Sequence, residues 1–134
     1  MRKCLFLLLP VGMVLIMLTV GLSAKNLDTE GKAWLDAHNE AAAINVDGVW
    51  YAKGWGKIFL KQTEGSRDLT GTGDGWQITG VVNGEQVFLL FSNHGKVTYS
   101  AKLTSEGENS LNGSYSRGFM DDKAKGKSMH LTKQ

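Results

Sequence analysis

From Gly48 to Lys133 the chain alternates apolar and polar positions in short runs separated by turn-forming residues. The clearest run is 96–103, with Val97, Tyr99, Ala101 and Leu103 on one side and Lys96, Thr98, Ser100 and Lys102 on the other. A period of two marks a half-buried strand, because successive side chains point to opposite faces. Runs at 48–53, 57–63, 67–73, 76–82, 86–92, 110–117 and 127–133 complete a set of eight. Inward positions then hold Trp50, Ile58, Leu60, Trp76, Ile78, Leu89, Phe91, Leu111, Tyr115, Met129 and Leu131. The run 86–92 is apolar on both faces, so its outer face needs a cover.

Between the runs stand Gly54-Trp55-Gly56, Gly73-Asp74-Gly75, Asn83-Gly84 and Asn93-His94-Gly95, all combinations that tolerate positive φ. A weak repeat, Leu69-Thr-Gly71, Ile78-Thr-Gly80 and Leu111-Asn-Gly113, puts glycine at inward positions, where a coiling sheet is crowded or an opposing ring needs room. Upstream, residues 28–44 read as a helix capped by Asp28 or Thr29, with Trp34, Ala37, Ala41 and Ile44 on one face. The fold class expected is mainly β. It is an eight-stranded antiparallel up-and-down (meander) barrel preceded by one short N-terminal α-helix.

Residues 1–24 are a different kind of segment. Arg2 and Lys3 precede an uncharged, mostly apolar run over 4–22, followed by Ser23-Ala24. This is the form of a signal peptide or, given the length of the run, an N-terminal membrane anchor. Either form exports the remainder, to the periplasm or the cell exterior. The expected organisation is leader 1–24, helix and linker 25–46, and barrel 47–134. Cys4 and Pro10 both lie in the leader, so beyond it packing and ladder hydrogen bonds must hold the fold without disulfides. Setting Arg2 and Lys3 aside reduces the 15 basic residues to the number of acidic ones, 13. Net charge thus gives no support for a nucleic-acid partner, or for membrane association other than through residues 4–22.

At Gly48-Val49-Trp50-Tyr51 the chain resembles the start of calycin barrels, the lipocalins and avidins, whose G-x-W signature sets a tryptophan across the closed end. With Ile58-Phe-Leu60 and Leu69-Thr-Gly71-Thr72, the opening is similar to the first three avidin strands. The resemblance implies a barrel. It does not carry over the biotin contacts, since Ala52, Lys57 and Gly73 stand near positions where avidins have asparagine, serine and tyrosine.

In a meander, successive loops alternate between the two ends. One end receives the small polar loops at 64–66, 83–84 and 105–109, and the helix is expected to cap it. The other collects Trp55, Asp74, Asn93, His94 and a long segment over 117–126 with Arg117, Phe119, Met120, Asp121 and Asp122. Exposed aromatics beside charge make Trp55, Asp74, His94, Arg117, Phe119 and Met120 the candidate ligand- or partner-binding set. Phe119 and Met120 could instead fold down as a lid.

No pattern for catalysis, a metal or a cofactor stands out. His38, His94 and His130 fall on the helix, a turn and an outward strand position, and no serine has a G-x-S-x-G setting. Two non-enzymatic readings remain: an exported interaction or inhibitor-like module that meets another envelope protein, and a carrier of a small apolar ligand inside the barrel. The bulk of the inward side chains favours a filled barrel and the first reading.

Overall fold

The computed structural model describes residues 29–120 and 126–134. The expected leader, the Asp28 cap and the Asp121-Asp122 pair lie outside the described residues. Helix α1 (Thr29–Asp36) precedes strands β1 (Gly48–Ala52), β2 (Gly56–Gln62), β3 (Asp68–Gly73) and β4 (Trp76–Asn83). Strands β5 (Gln86–Asn93), β6 (Lys96–Ser105), β7 (Ser110–Arg117) and β8 (Lys127–Lys133) follow. Each strand pairs antiparallel with the next, and β8 returns to β1 through Trp50↔Lys133, Tyr51↔Thr132 and Ala52↔Leu131. The sheet is a closed barrel without edges.

Its interior is filled by inward residues of every strand. Trp50, Ile58, Leu69, Leu89, Phe91, Leu103, Leu111 and Leu131 are fully buried in one cluster. Each such side chain contributes roughly 1.5–3 kcal/mol by leaving water. The inward glycines do not reopen this space. A Cβ on Gly71, Gly80 or Gly113 would run into the backbone carbonyl of Phe59, Phe88 or Lys102 on the neighbouring strand. These glycines therefore permit close strand approach, and make no room for a ring.

One expected face is corrected. Between β5 and β6 the register shifts after Phe91↔Tyr99 to Ser92↔Val97, leaving Thr98 as an extra residue. An extra residue reverses the alternation beyond it. Val97 consequently packs on the outside of the sheet, not in the barrel. The carbonyl of Thr98 accepts the Gly118 N–H at 2.9 Å, so the bulge anchors the end of β7.

The outer cover of β5 is present. Leu35 of α1, Val81, Phe88 and Leu90 form a second cluster, flanked by Trp34, Val97 and Phe119. The His38 ring stacks on Phe88 with centroids 3.7 Å apart. The helix is shorter than its apolar spacing implies, ending at Asp36. Beyond it, backbone pairing takes over: the Ala43 N–H donates to the Gly84 carbonyl and the Gly84 N–H to the Ala41 carbonyl. Glu40 N–H also donates to Asn83 Oδ1. Tertiary hydrogen bonds thus override helix propensity over 37–44. Ala37 and Ala41 are exposed.

The helix also lies on the side of the barrel, not across an end. The linker after it makes the seal. Val46 is buried against the inner cluster with Ala42 and Ile44 beside it. The Trp50 indole N–H donates to the Val46 carbonyl at 2.9 Å. Buried Gln62 accepts from Val46 N–H at 2.8 Å and donates to the carbonyls of Ile44 and Ser66 at 3.2 and 2.9 Å. A tryptophan therefore sits at the closed end, where the G-x-W resemblance puts it.

Candidate functional site

The opposite end stays open, and its turns are built for compactness. In the β5–β6 turn His94 has φ 55° and Gly95 φ 80°, so both central residues are left-handed, as a type I′ turn requires. The β1–β2 turn is three residues long and closes with Trp55 N–H on the Ala52 carbonyl at 2.9 Å. That closure turns the Trp55 side chain inward over the mouth.

Trp55 is the hub of an aromatic cluster. Its ring centroid lies 4.7 Å from Phe91, 5.0 Å from Tyr115, 5.5 Å from Tyr99 and 6.3 Å from Trp76. Trp76 and Tyr99 meet edge to face at 5.5 Å, and Tyr99 and Tyr115 at 5.8 Å. Phe91 belongs to the core, whereas Trp55, Trp76, Tyr99 and Tyr115 are half-buried. Among the described residues no hydrogen bond engages the Trp55 or Trp76 indole N–H, or the Tyr99 or Tyr115 hydroxyl. Trp34 differs, donating to the Met120 carbonyl at 2.8 Å.

Two clefts adjoin this cluster and share Tyr99 and Tyr115 as walls. The first, of about 320 Å³, is lined by Trp55, Trp76, Lys53 and Ser128 besides the two tyrosines. The second, of about 340 Å³, adds Ser116, Arg117, Gly126 and Lys127. Arg117 stands over the Tyr99 ring, its guanidinium carbon 5.4 Å from the centroid. One cleft is aromatic-walled and the other basic-walled.

The six expected site residues divide between two places. Trp55 and Arg117 line the mouth. Asp74 and His94 are exposed on neighbouring turns of the same end and line neither of these clefts. Phe119 and Met120 are not exposed loop residues of the mouth. Met120 is 7% exposed, its N–H donates to Ser100 Oγ at 2.9 Å, and Phe119 packs near Trp34 outside the sheet. They form a clip that holds α1 on the barrel wall, because the bulge at Thr98 directs the chain after β7 outward.

Residues assigned to the core complete the lining of the candidate site. Trp76 opens β4, Tyr99 lies near the start of β6 and Tyr115 near the end of β7, so all three point inward at the open end. Counting inward positions from the turns would have separated them from the deep core. Lys53 and Lys127 had no sequence signal beyond their nearness to those turns.

A larger, open cleft of about 960 Å³ lies at the closed end, between the linker over 41–47 and residues 61–67. It has no aromatic lining. Arg67 Nη2 is buried there without a hydrogen-bond partner among the described residues, while Nε donates to the Glu40 carbonyl at 3.3 Å. Among the described residues no three His, Asp or Glu side chains converge as metal ligands. His38 stacks on Phe88, His94 is in its turn, and His130 pairs with Asn112 Oδ1 at 3.2 Å. The chain matches no family model, no curated protein and no solved structure.

Proposed function

We propose that this protein is an exported, non-enzymatic interaction or inhibitor-like module of the cell envelope, which docks another protein through its open end. One observation carries this reading. Four half-buried aromatic side chains, whose N–H and O–H groups no hydrogen bond engages among the described residues, lie over a barrel that is already filled. Such groups combine apolar area with hydrogen-bonding capacity, the composition of an interface centre. A carrier would need space where Leu89, Phe91, Leu103 and Leu131 stand. Export rests on the leader-like character of residues 1–24. The seat of Trp50 at the closed end supports calycin-like kinship, with biotin recognition missing at Ala52, Lys57 and Gly73.

The experiment is paired photo-crosslinking in the producing cells. A photoreactive residue replaces Lys53, at the open end, or Glu64, at the closed end. Capture of a discrete protein from position 53 and not from 64 is expected. Capture from position 64 alone, or equally from both, would refute the docking assignment.

A further inference from the structure

The two ends of the barrel carry opposite charge, although the exported part is formally neutral. At the open end stand Lys53, Lys96, Arg117 and Lys127, with Asp74 the acidic side chain among the described residues of its turns. The segment between Met120 and Gly126, outside the described residues, is balanced in sequence, with two Asp and two Lys. At the closed end stand Glu40, Asp47, Glu64, Asp68, Glu85, Glu106 and Glu108, against Lys61, Arg67 and Lys133. Like charges gathered at one end create a local potential that a formal total of zero conceals, and such a potential steers partners by sign.

Chemistry at the mouth points the same way. Indole N–H, ammonium and guanidinium groups donate hydrogen bonds and accept none, while the hydroxyls of Tyr99, Tyr115, Ser116 and Ser128 beside them can do either. The described residues lining the two clefts include no carboxylate. The site is therefore matched to an acceptor-rich, anionic group next to an apolar one. Each cleft has room for a large side chain, and they lie side by side across Tyr99 and Tyr115.

We infer that the open end recognises an acidic segment of a partner protein. An aromatic or large aliphatic side chain would enter the Trp55–Trp76 cleft, and a neighbouring carboxylate would meet Arg117 and Lys127. This rests on the docking reading above and gives its partner a chemistry. A second copy of the chain fits less well. Its acidic loops over 64–66, 84–85 and 106–109 carry no aromatic residue, so they would leave the aromatic cleft empty.

The four tryptophans supply an internal control. The protein, labelled with ¹⁵N at its indoles and isolated from an expressing host, is titrated with acetyl-Asp-Phe-Glu-amide. The expected result is saturable movement of the Trp55 and Trp76 indole resonances, with Trp34 and Trp50 unmoved. Binding should weaken about tenfold for acetyl-Asn-Phe-Gln-amide and for acetyl-Asp-Ala-Glu-amide. K127S, and R117S together with K127S, should remove the preference for the acidic peptide while leaving Trp34 and Trp50 in place as a check on folding. Equal binding of the neutral or the alanine peptide overturns the inference, as does silence of Trp55 and Trp76 towards every peptide. Concentration-dependent self-association that moves the same two resonances also overturns it, in favour of a second copy. If these peptides fail while Lys53 still crosslinks a protein, only the acidic recognition falls. Failure of that crosslink removes the docking reading itself.

Discussion

At the closed end Trp50 is 1% exposed and its indole N–H is held by the Val46 carbonyl, under a linker fastened by Gln62. At the open end Trp55 and Trp76 are half-buried, set edge to face with tyrosines, and their N–H groups have no partner among the described residues. The same side chain thus serves two ends differently. Burial with a satisfied N–H makes tryptophan a structural seal, whereas partial exposure with an open N–H leaves it available to a ligand. The flank gives a third case. Trp34 is satisfied by Met120 and acts as a clasp for α1. The difference between the ends, more than the fold, is the argument for function.

Substitutions should reveal the difference in order of size. Trp50→Ala removes a fully buried indole and is expected to lower unfolding free energy by about 3–5 kcal/mol in urea titrations. Gln62→Leu leaves Val46 N–H and two carbonyls without their partner. It should cost about 1–3 kcal/mol and speed hydrogen exchange at Val46. At the open end, Trp55→Phe with Trp76→Phe should cost only roughly 1–2 kcal/mol together, yet abolish capture from Lys53. If that pair destabilised as much as Trp50→Ala, the mouth would be a second seal and the contrast would collapse. Trp34→Phe should cost about 1 kcal/mol and loosen α1 without touching the mouth. The smallest effect belongs to His94→Gly. It relieves a left-handed non-glycine residue and should raise stability by no more than about 1 kcal/mol in thermal melts.

Much of this frame was legible in the sequence because strand periodicity is local. All eight strands lie within a residue or two of the alternating runs, and β7 and β8 coincide with them. Three features were not legible, for different physical reasons. The face of Val97 depends on a bulge that only the pairing of β5 with β6 creates. The end of α1 is set by the backbone of Gly84, far away in the chain. Phe119 and Met120 looked like an exposed loop because their partners, Trp34 and Ser100, come from two other elements. The lining of the candidate mouth was half legible. Trp55 and Arg117 were visible from turn topology, whereas Trp76, Tyr99 and Tyr115 read as core because inwardness says nothing about depth along a barrel. The charge polarity was hidden by a balanced total.

The most direct test of the contrast is solvent exchange of the four indole N–H groups in the free protein, followed by NMR. Trp50 should exchange only through unfolding and Trp34 through opening of the α1 clasp, both slowly. Trp55 and Trp76 should exchange orders of magnitude faster, as groups presented to solvent. Slow exchange at Trp55 and Trp76, matching that of Trp50, would contradict the account and make the aromatic mouth a plug.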